Sequence, residues 1–291
     1  LDSDHHYLEC DNKMQADLLY RSVDAHDLPC MADIDSSLQY FCEEVSHSHK
    51  VVLTGECADE VFGGYPWFHR EEMLNSGTFP WTPSLTPRKV LLKDDLVKSL
   101  HMDEYVKKIY DRSVSEINVL PSENEIETNR RRIGYLNIRF FMQTLLNRMD
   151  RTSMFSGLEA RVPFADRKLV DYVFNIPWEM KAKDGLVKNI LRQASKGLLP
   201  DEILFRRKSP YPKTYNPYYE NLLAKRLKEV LADSASPLHS LLDLKQVTQF
   251  LENPKDYGAP WYGQLMAGPQ MIAYLLQIEY FLRKYNVSIR I

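Results

Sequence analysis

Val51-Val52-Leu53-Thr54-Gly55-Glu56-Cys57-Ala58-Asp59-Glu60-Val61-Phe62-Gly63-Gly64-Tyr65 puts a short strand, a glycine turn and an acidic cluster in one unbroken stretch. Val51-Val52-Leu53 is a β-branched run bounded by polar residues, which suits a buried parallel strand. A strand that ends in Thr54-Gly55 and turns into a helix is where open α/β sheets place their ligands. The glycine there leaves backbone groups open to a nucleotide with no side chain in between. If the helix starts at once, Glu56, Asp59 and Glu60 stand at i, i+3 and i+4, on one face. Three carboxylates on one face repel each other unless a cation lies among them, and Mg2+, which takes oxygens from carboxylate and triphosphate together, is the natural one. The plain alternative is an acidic first turn complementing a helix dipole. The neighbouring Gly63-Gly64 pair has no ordinary core role and favours the functional reading.

Working outward, residues 1–65 have α/β character. Asn12 is placed to cap a helix over 13–25, broken by Asp27-Leu28-Pro29. A second helix is expected over 36–47, with Leu38, Phe41, Cys42 and Val45 at helical spacing. Residues 66–87, rich in proline and tryptophan, read as an ordered surface connection. The remainder is helical. Ile133, Leu136, Phe140, Phe141, Met142 and Leu145 predict a strongly buried helix, and Val187, Ile190, Leu191 and Ala194 an amphipathic one ending near Gly197 and Pro200. Residues 241–251 and 271–282 complete the set. The division is an α/β portion, 1–65, followed by a mainly α-helical portion, 66–291, with a cleft shared between them.

Composition narrows the function classes. A net charge of −3, from 40 acids against 37 bases, argues against a general nucleic-acid binder. The most apolar stretch, 271–282, is interrupted by Gln277 and Glu279 and is too short to span a bilayer. Cys10, Cys30, Cys42 and Cys57 fit neither a metal hook nor a disulfide framework, so reduced thiols in a cytoplasmic protein are expected. Leu1-Asp2-Ser3-Asp4-His5-His6 has no leader character and reads as the interior of a longer sequence. His5-His6 and His47-Ser48-His49 lack metal-ligand partners at helical spacing and read as surface histidines.

Two further segments carry charge in unusual settings. Asn147-Arg148-Met149-Asp150-Arg151-Thr152-Ser153-Met154 follows a very apolar helix, and Asp150 beside two arginines reads either as a structural ion-pair network or as a cleft contact. Lys188, Arg192 and Lys196 recur every four residues, the spacing of a solvated helix face. Arg206-Arg207-Lys208-Ser209-Pro210-Tyr211-Pro212 places Lys208 before two prolines that fix the backbone. A rigidly presented lysine near carboxylates is what phosphoryl or adenylyl transfer uses to stabilise charge on phosphate.

Together these segments resemble the synthetase domain of class II, glutamine-hydrolysing asparagine synthetases. Thr54 through Tyr65 is similar to the family's Ser-Gly-Glu-Gly-x-Asp-Glu-x-Phe-Gly-Gly-Tyr stretch, and Asp150 through Phe164 to its Asp-Arg-x-Ser-Met…Leu-Glu-Ala-Arg-Val-Pro-Phe stretch. Lys188-Asn189-Ile190-Leu191-Arg192 resembles its Lys-x-x-Leu-Arg helix, and Arg207-Lys208-Ser209-Pro210 its catalytic-lysine loop. The resemblance covers most of residues 1–220. It implies a partial ATP-pyrophosphatase-type (adenine nucleotide α-hydrolase-like) parallel sheet with a large α-helical C-terminal region. It further implies that Thr54 and Gly55 contact the AMP portion of ATP, Glu56 acts in amide formation as a base toward ammonia, and Asp59 holds Mg2+ with Glu60 in support near the substrate. Asp150 would line the cleft by the amino acid, Lys188 would touch pyrophosphate, and Lys208 would stabilise charged transition states. The reaction implied is conversion of aspartate to asparagine through an aspartyl-AMP ester, with ammonia drawn from glutamine.

The departures are specific. Cys57 stands where glycine is commoner, and Thr54 where serine is usual. The pyrophosphate-binding Ser-Gly-Gly-x-Asp-Ser loop is not found in these residues; Asp33-Ile34-Asp35-Ser36-Ser37 lacks both glycines and follows no strand. That loop and the N-terminal glutaminase domain lie upstream in the family, so the resemblance implies half of an ATP site, no glutamine site, and no independent activity. A homodimer is left open. The competing readings are a β-lactam-forming synthetase, which would need a Tyr–Glu pair for which Tyr135 is a candidate, or another adenylating amidotransferase on the same scaffold, and, from a different class, a non-catalytic regulatory relative.

Overall fold

The computed structural model describes residues 3–208, 211, 216–254, 260–263 and 266–290. It is a mixed α/β structure, mostly helical, with one small parallel sheet. The chain opens with α1 (Asn12–Asp17) and α2 (Leu19–His26), two helices where one was expected over 13–25. The first ends at Leu18, and its cap is Asp11, whose carboxylate accepts from Met14 N–H. α3 (Ala32–Ser46) begins four residues earlier than expected, with Asp33 and Asp35 in its first turn.

β1 (Val51–Leu53) pairs in parallel with β2 (Glu159–Arg161), Val52 opposite Ala160. The strand is therefore parallel but not buried as expected: Leu53 is 74% exposed, because only its inner face, at Val52, packs on protein. Thr54 N–H continues the ladder to Arg161 O at 2.9 Å, and α4 (Ala58–Phe62) follows.

A helical run extends from Glu125 to Phe155, with a wide i to i+5 turn at Asn137–Met142 between two α-helical halves. Such turns redirect the side chains beyond them and are common at functional sites. Here buried Asn137 donates from Nδ2 to Glu60 O at 3.3 Å, tying the turn to α4. As expected, Ile133, Leu136, Phe141, Met142 and Leu145 are buried. The amphipathic helix is shorter than expected, Asn189–Ala194, and the last two helices are Leu244–Glu252 and Gly268–Lys284.

One apolar core joins Ala16 and Leu19 to Ile34, Leu223, Leu227, Ile272 and Leu276, so the two ends of the chain pack together. A second, aromatic core contains Trp67, Phe68, Phe79, Trp81, Leu136 and Phe141. The 66–87 segment is thus core-building rather than a surface connection, with Trp67 only 1% exposed. Prolines there fix the backbone, but it is the aromatic rings, stacking tilted and edge-on at 5–6 Å, that draw the segment inward. Among the described residues no helix is long and apolar enough to cross a membrane.

Candidate active site

The strand end, α4, Lys208 and Tyr211 meet at a cavity of about 350 Å³. Gly55, Glu56, Cys57, Asp59, Glu60 and Tyr65 form one wall and Phe141, Leu145 and Arg148 another, with Lys208, Tyr211 and Tyr262 among the remaining lining residues. A second cavity of about 360 Å³ shares Asp59 and Lys208 with the first and is otherwise lined by Lys188, Arg192, Arg206 and Arg207 among others. Ser209, Pro210 and Pro212, expected to stiffen the lysine segment, lie outside the described residues.

Local backbone geometry distributes the acidic residues. Cys57 adopts a left-handed conformation (φ 69°) at the start of α4, so the helix begins at Ala58 and Glu56 falls outside it. This is the conformation glycine adopts most easily, which accounts for glycine as the commoner residue there. The expected single face of three carboxylates does not form. Glu56 Oε1 accepts from Arg148 Nη2 at 2.7 Å. Asp59 lies between Lys188 Nζ, 2.8 Å from Oδ1, and Lys208 Nζ, 3.1 Å from Oδ2. Glu60 is buried and accepts a hydrogen bond from the Tyr65 hydroxyl.

The glycine pair after α4 has two separate jobs. Gly63 ends the helix at φ 71°, and a Cβ there would meet the Trp178 ring at 2.7 Å. A Cβ on Gly64 would lie 1.8 Å from Asp59 Oδ1, so that glycine leaves room for the carboxylate between the lysines.

Electrostatics follows from burial and these partners. Burial pushes the Asp59 carboxyl up, but the Lys208 and Lys188 ammonium groups outweigh it and hold the acid below its usual range. Burial lowers the Lys208 pKa, against the attraction of Asp59. Glu56 is raised by burial, with Arg148 opposing, and its Oε2 is buried without a hydrogen-bond partner among the described residues. Glu60 is raised by burial, opposed by the Tyr65 hydrogen bond. Thr54 Oγ1 is likewise buried and unpartnered, beside Gly55, around whose missing side chain nothing lies within 4 Å.

The predicted site residues Gly55, Glu56, Asp59, Glu60, Lys188 and Lys208 therefore converge, with Thr54 adjoining. Lys188 is no solvated-face residue: it starts its helix at φ 55° and turns to Asp59, while Arg192 donates to the carbonyls of Val187, Leu204 and Arg206. Asp150 does not join them. It is exposed and does not line the cavity, because residues two apart on a helix face different ways and Arg148 takes the inward position. Arg148, Tyr65 and Tyr211 were not assigned from sequence; Arg148 lay inside the quoted Asn147–Met154 stretch, but nothing there marked it as the partner of Glu56. Tyr135 does hydrogen-bond a glutamate, Glu116, at 2.8 Å, but neither residue lines either cavity. His5, His6, His47 and His49 are exposed, as expected.

The sequence pattern of the asparagine synthase family matches residues 1–283. The chain belongs to the asparagine synthase family. It is 48% identical over 286 residues to glutamine-hydrolyzing asparagine synthetase 3 of Bacillus subtilis (strain 168), which covers 98% of this chain and 46% of that protein. It is 28% identical over 257 residues to glutamine-hydrolyzing asparagine synthetase 1 of the same organism, covering 77% of this chain and 40% of that one. Human glutamine-hydrolyzing asparagine synthetase is 42% identical over 67 residues, 22% of this chain and 12% of the human protein. This asparagine synthase family chain thus spans less than half the length of these curated relatives.

As a cage for Mg2+, the Glu56–Asp59–Glu60 trio does not fit, since each carboxylate has its own partner. The group of metal-capable side chains close enough to share an ion, among the described residues, is His26, Cys30 and Asp35 instead. Asp59 is the carboxylate shared by the two cavities, but an ammonium group faces each of its oxygens, so it would meet Mg2+ held with phosphate oxygens only by giving up one lysine to the phosphate.

Proposed function

We propose that this chain is the ATP-using, amide-forming part of a glutamine-hydrolysing asparagine synthetase. The side-chain carboxylate of aspartate attacks the α-phosphorus of ATP, giving aspartyl-AMP and pyrophosphate. Ammonia derived from glutamine then attacks the acyl carbon and AMP leaves. A free carboxylate is a poor electrophile, and AMP is a good leaving group.

The observation that carries this reading is the clasp of Asp59 by Lys188 and Lys208 where the two cavities meet. The cavity with Glu56 has aromatic and apolar walls that suit an acyl-adenylate, whereas the one with Arg192, Arg206 and Arg207 suits the departing pyrophosphate. Lys208 is placed to stabilise charge on the phosphate in flight, and Lys188 to follow the pyrophosphate. The unpartnered Glu56 Oε2 is available to take a proton from the attacking ammonia. Thr54 and Gly55, at the strand end, would meet AMP, as in an ATP-pyrophosphatase-type sheet of which β1 and β2 are a part. Mg2+ carried on the phosphates would have Asp59 as its protein carboxylate, Glu60 standing behind it, and would supply neutralisation of phosphate charge. The four unpaired thiols, Cys10, Cys30, Cys42 and Cys57, support a cytoplasmic setting.

Aspartate-dependent exchange of labelled pyrophosphate into ATP, measured without ammonia in the complete polypeptide that carries this chain, tests the reading. Exchange that requires aspartate and Mg2+ is expected. Exchange indifferent to aspartate would contradict it.

A further inference from the structure

Asp35, in the first turn of α3, is fully buried, and no step above uses it. A buried carboxylate is strongly disfavoured unless donors and a cation face it. Its Oδ2 accepts from Met31 N–H at 2.6 Å. Its Oδ1 has no hydrogen-bond partner among the described residues, and the charge it faces is Arg148, whose Nε lies 3.7 Å away. The same guanidinium donates from Nη2 to Glu56. One buried cation therefore spans two carboxylates, one in the cavity wall and one behind it.

The other neighbours of Asp35 bring no charge. His26 Nε2 lies 3.8 Å from Oδ2 but is shared with Thr152 Oγ1 at 3.0 Å, and burial lowers its pKa against the pull of Asp35, which favours the uncharged ring at neutral pH. Burial likewise pushes the Cys30 thiol well up, and its sulfur is held by Gln277 and Ser22. An ion among His26, Cys30 and Asp35 would face Arg148 as a like charge.

We propose that Asp35 is a positioning residue for Glu56: its carboxylate faces Arg148 Nε at 3.7 Å, a charge contact rather than a hydrogen bond, and draws on the guanidinium charge so that Glu56 is held without being fully neutralised. The sharing rests on geometry; its effect on amide formation rests on the function proposed above.

The groups facing Glu56 make the balance legible. Arg148 comes from the Gln143–Phe155 helix, Asp35 and Cys42 from α3, and Cys57 from its own segment. Burial pushes the two thiols up to about 11 and about 12, so both are uncharged at neutral pH. Across the cavity Asp59 is paired with Lys208, and Tyr211, raised by burial, stays a phenol bonded to Ser37 of α3. Arg148 and Asp35 are left as the groups whose opposing influence acts on Glu56, Arg148 lowering its pKa and Asp35 raising it.

The test is a carbon-13 NMR titration of this chain labelled at glutamate carboxyls, with the Glu56 signal assigned by its loss in Glu56→Gln. The wild-type midpoint should lie above the ordinary glutamate value despite direct contact with Arg148. In Asp35→Asn it should move down, because Arg148 then serves Glu56 alone. In parallel, ammonia-dependent synthesis by the complete Asp35→Asn polypeptide should show its acidic limb displaced to lower pH and its plateau kcat reduced roughly tenfold, with KM for ATP unchanged. An unmoved Glu56 midpoint in folded Asp35→Asn overturns the proposal. A wild-type midpoint at or below the ordinary value does so without any variant. A moved midpoint with an unmoved pH–rate profile upholds the hold of Asp35 on Glu56 and removes Glu56 from the role of base.

Discussion

Lys208 and Asp59, far apart in sequence, form a partly buried ion pair at the mouth shared by two cavities, with Nζ 3.1 Å from Oδ2. The same ammonium lies 3.8 Å from the centre of the Tyr65 ring, a second restraint on its position. A lysine held by a carboxylate and an aromatic face is restrained in position, and on the function proposed above it would meet phosphate charge with little reorganisation.

Lys208→Ala in the complete polypeptide should lower kcat by roughly a hundred- to a thousandfold, the usual cost of losing one preorganised electrostatic donor. Lys208→Arg should recover only part of this, since a planar guanidinium fork does not reproduce a compact ammonium between Asp59 and Tyr65. Lys196→Ala, away from both cavities, serves as the control and should leave turnover unchanged. Steady-state kinetics at saturating ATP and aspartate would check this, and near-normal kcat for Lys208→Ala would reduce the lysine to a structural charge.

Asp59→Asn should destabilise the chain in a pH-dependent way. The folded-state pKa of Asp59 lies below its unfolded value of about 3.9, so its contribution is complete above that value and fades as pH falls through the folded pKa. The wild-type advantage in urea unfolding should be level between pH 5 and 7, about 2–3 kcal/mol, and shrink below about pH 4. An advantage that grows as the pH is lowered would mean the carboxylate is not held charged by the two lysines.

Gly64→Ala should disturb the site more than the fold. Its methyl would overlap Asp59 Oδ1, so the carboxylate must leave the clasp. Activity should fall by roughly a hundredfold, as expected for a misplacement of about 1 Å among reacting groups. Thermal unfolding should show a loss of about 2–3 kcal/mol, no more than the contribution of the clasp itself. Full activity in Gly64→Ala would show that the clasp is dispensable.

The 291 residues assayed by themselves should release no pyrophosphate from ATP with aspartate, Mg2+ and ammonium. The reason is the missing Ser-Gly-Gly-x-Asp-Ser loop, whose backbone amides would cradle pyrophosphate. Turnover by this chain alone would mean that the basic cavity of Arg192, Arg206 and Arg207 suffices.

Much of the site was legible because its chemistry is local in sequence. Val51 through Gly55 announced a strand end, and Lys208 an unusual lysine, from composition and punctuation alone. The acidic face was misread because one torsion, the left-handed Cys57, delays the helix and sends Glu56 to Arg148 instead. Periodicity cannot show such a torsion in a residue that seldom adopts it. The 66–87 segment was placed outside because prolines are visible in sequence, whereas the packing of Trp67 on Phe141 and Trp81 is tertiary. Asp35 and Arg148 were invisible as a pair for the same reason: more than a hundred residues lie between them, and only the crossing of α3 with the Gln143–Phe155 helix brings them together.

The central claim is that the carboxylate of aspartate is activated as an AMP ester at the Asp59–Lys208 site, and transfer of oxygen tests it most directly. Aspartate labelled with oxygen-18 in its side-chain carboxylate would be converted by the complete polypeptide with ATP, Mg2+ and ammonium, and the AMP analysed by mass spectrometry. Attack of carboxylate on the α-phosphorus followed by displacement of AMP leaves one labelled oxygen in AMP for each asparagine formed, and Lys208→Ala should suppress both products together. Unlabelled AMP, or ADP with labelled inorganic phosphate, would contradict the account.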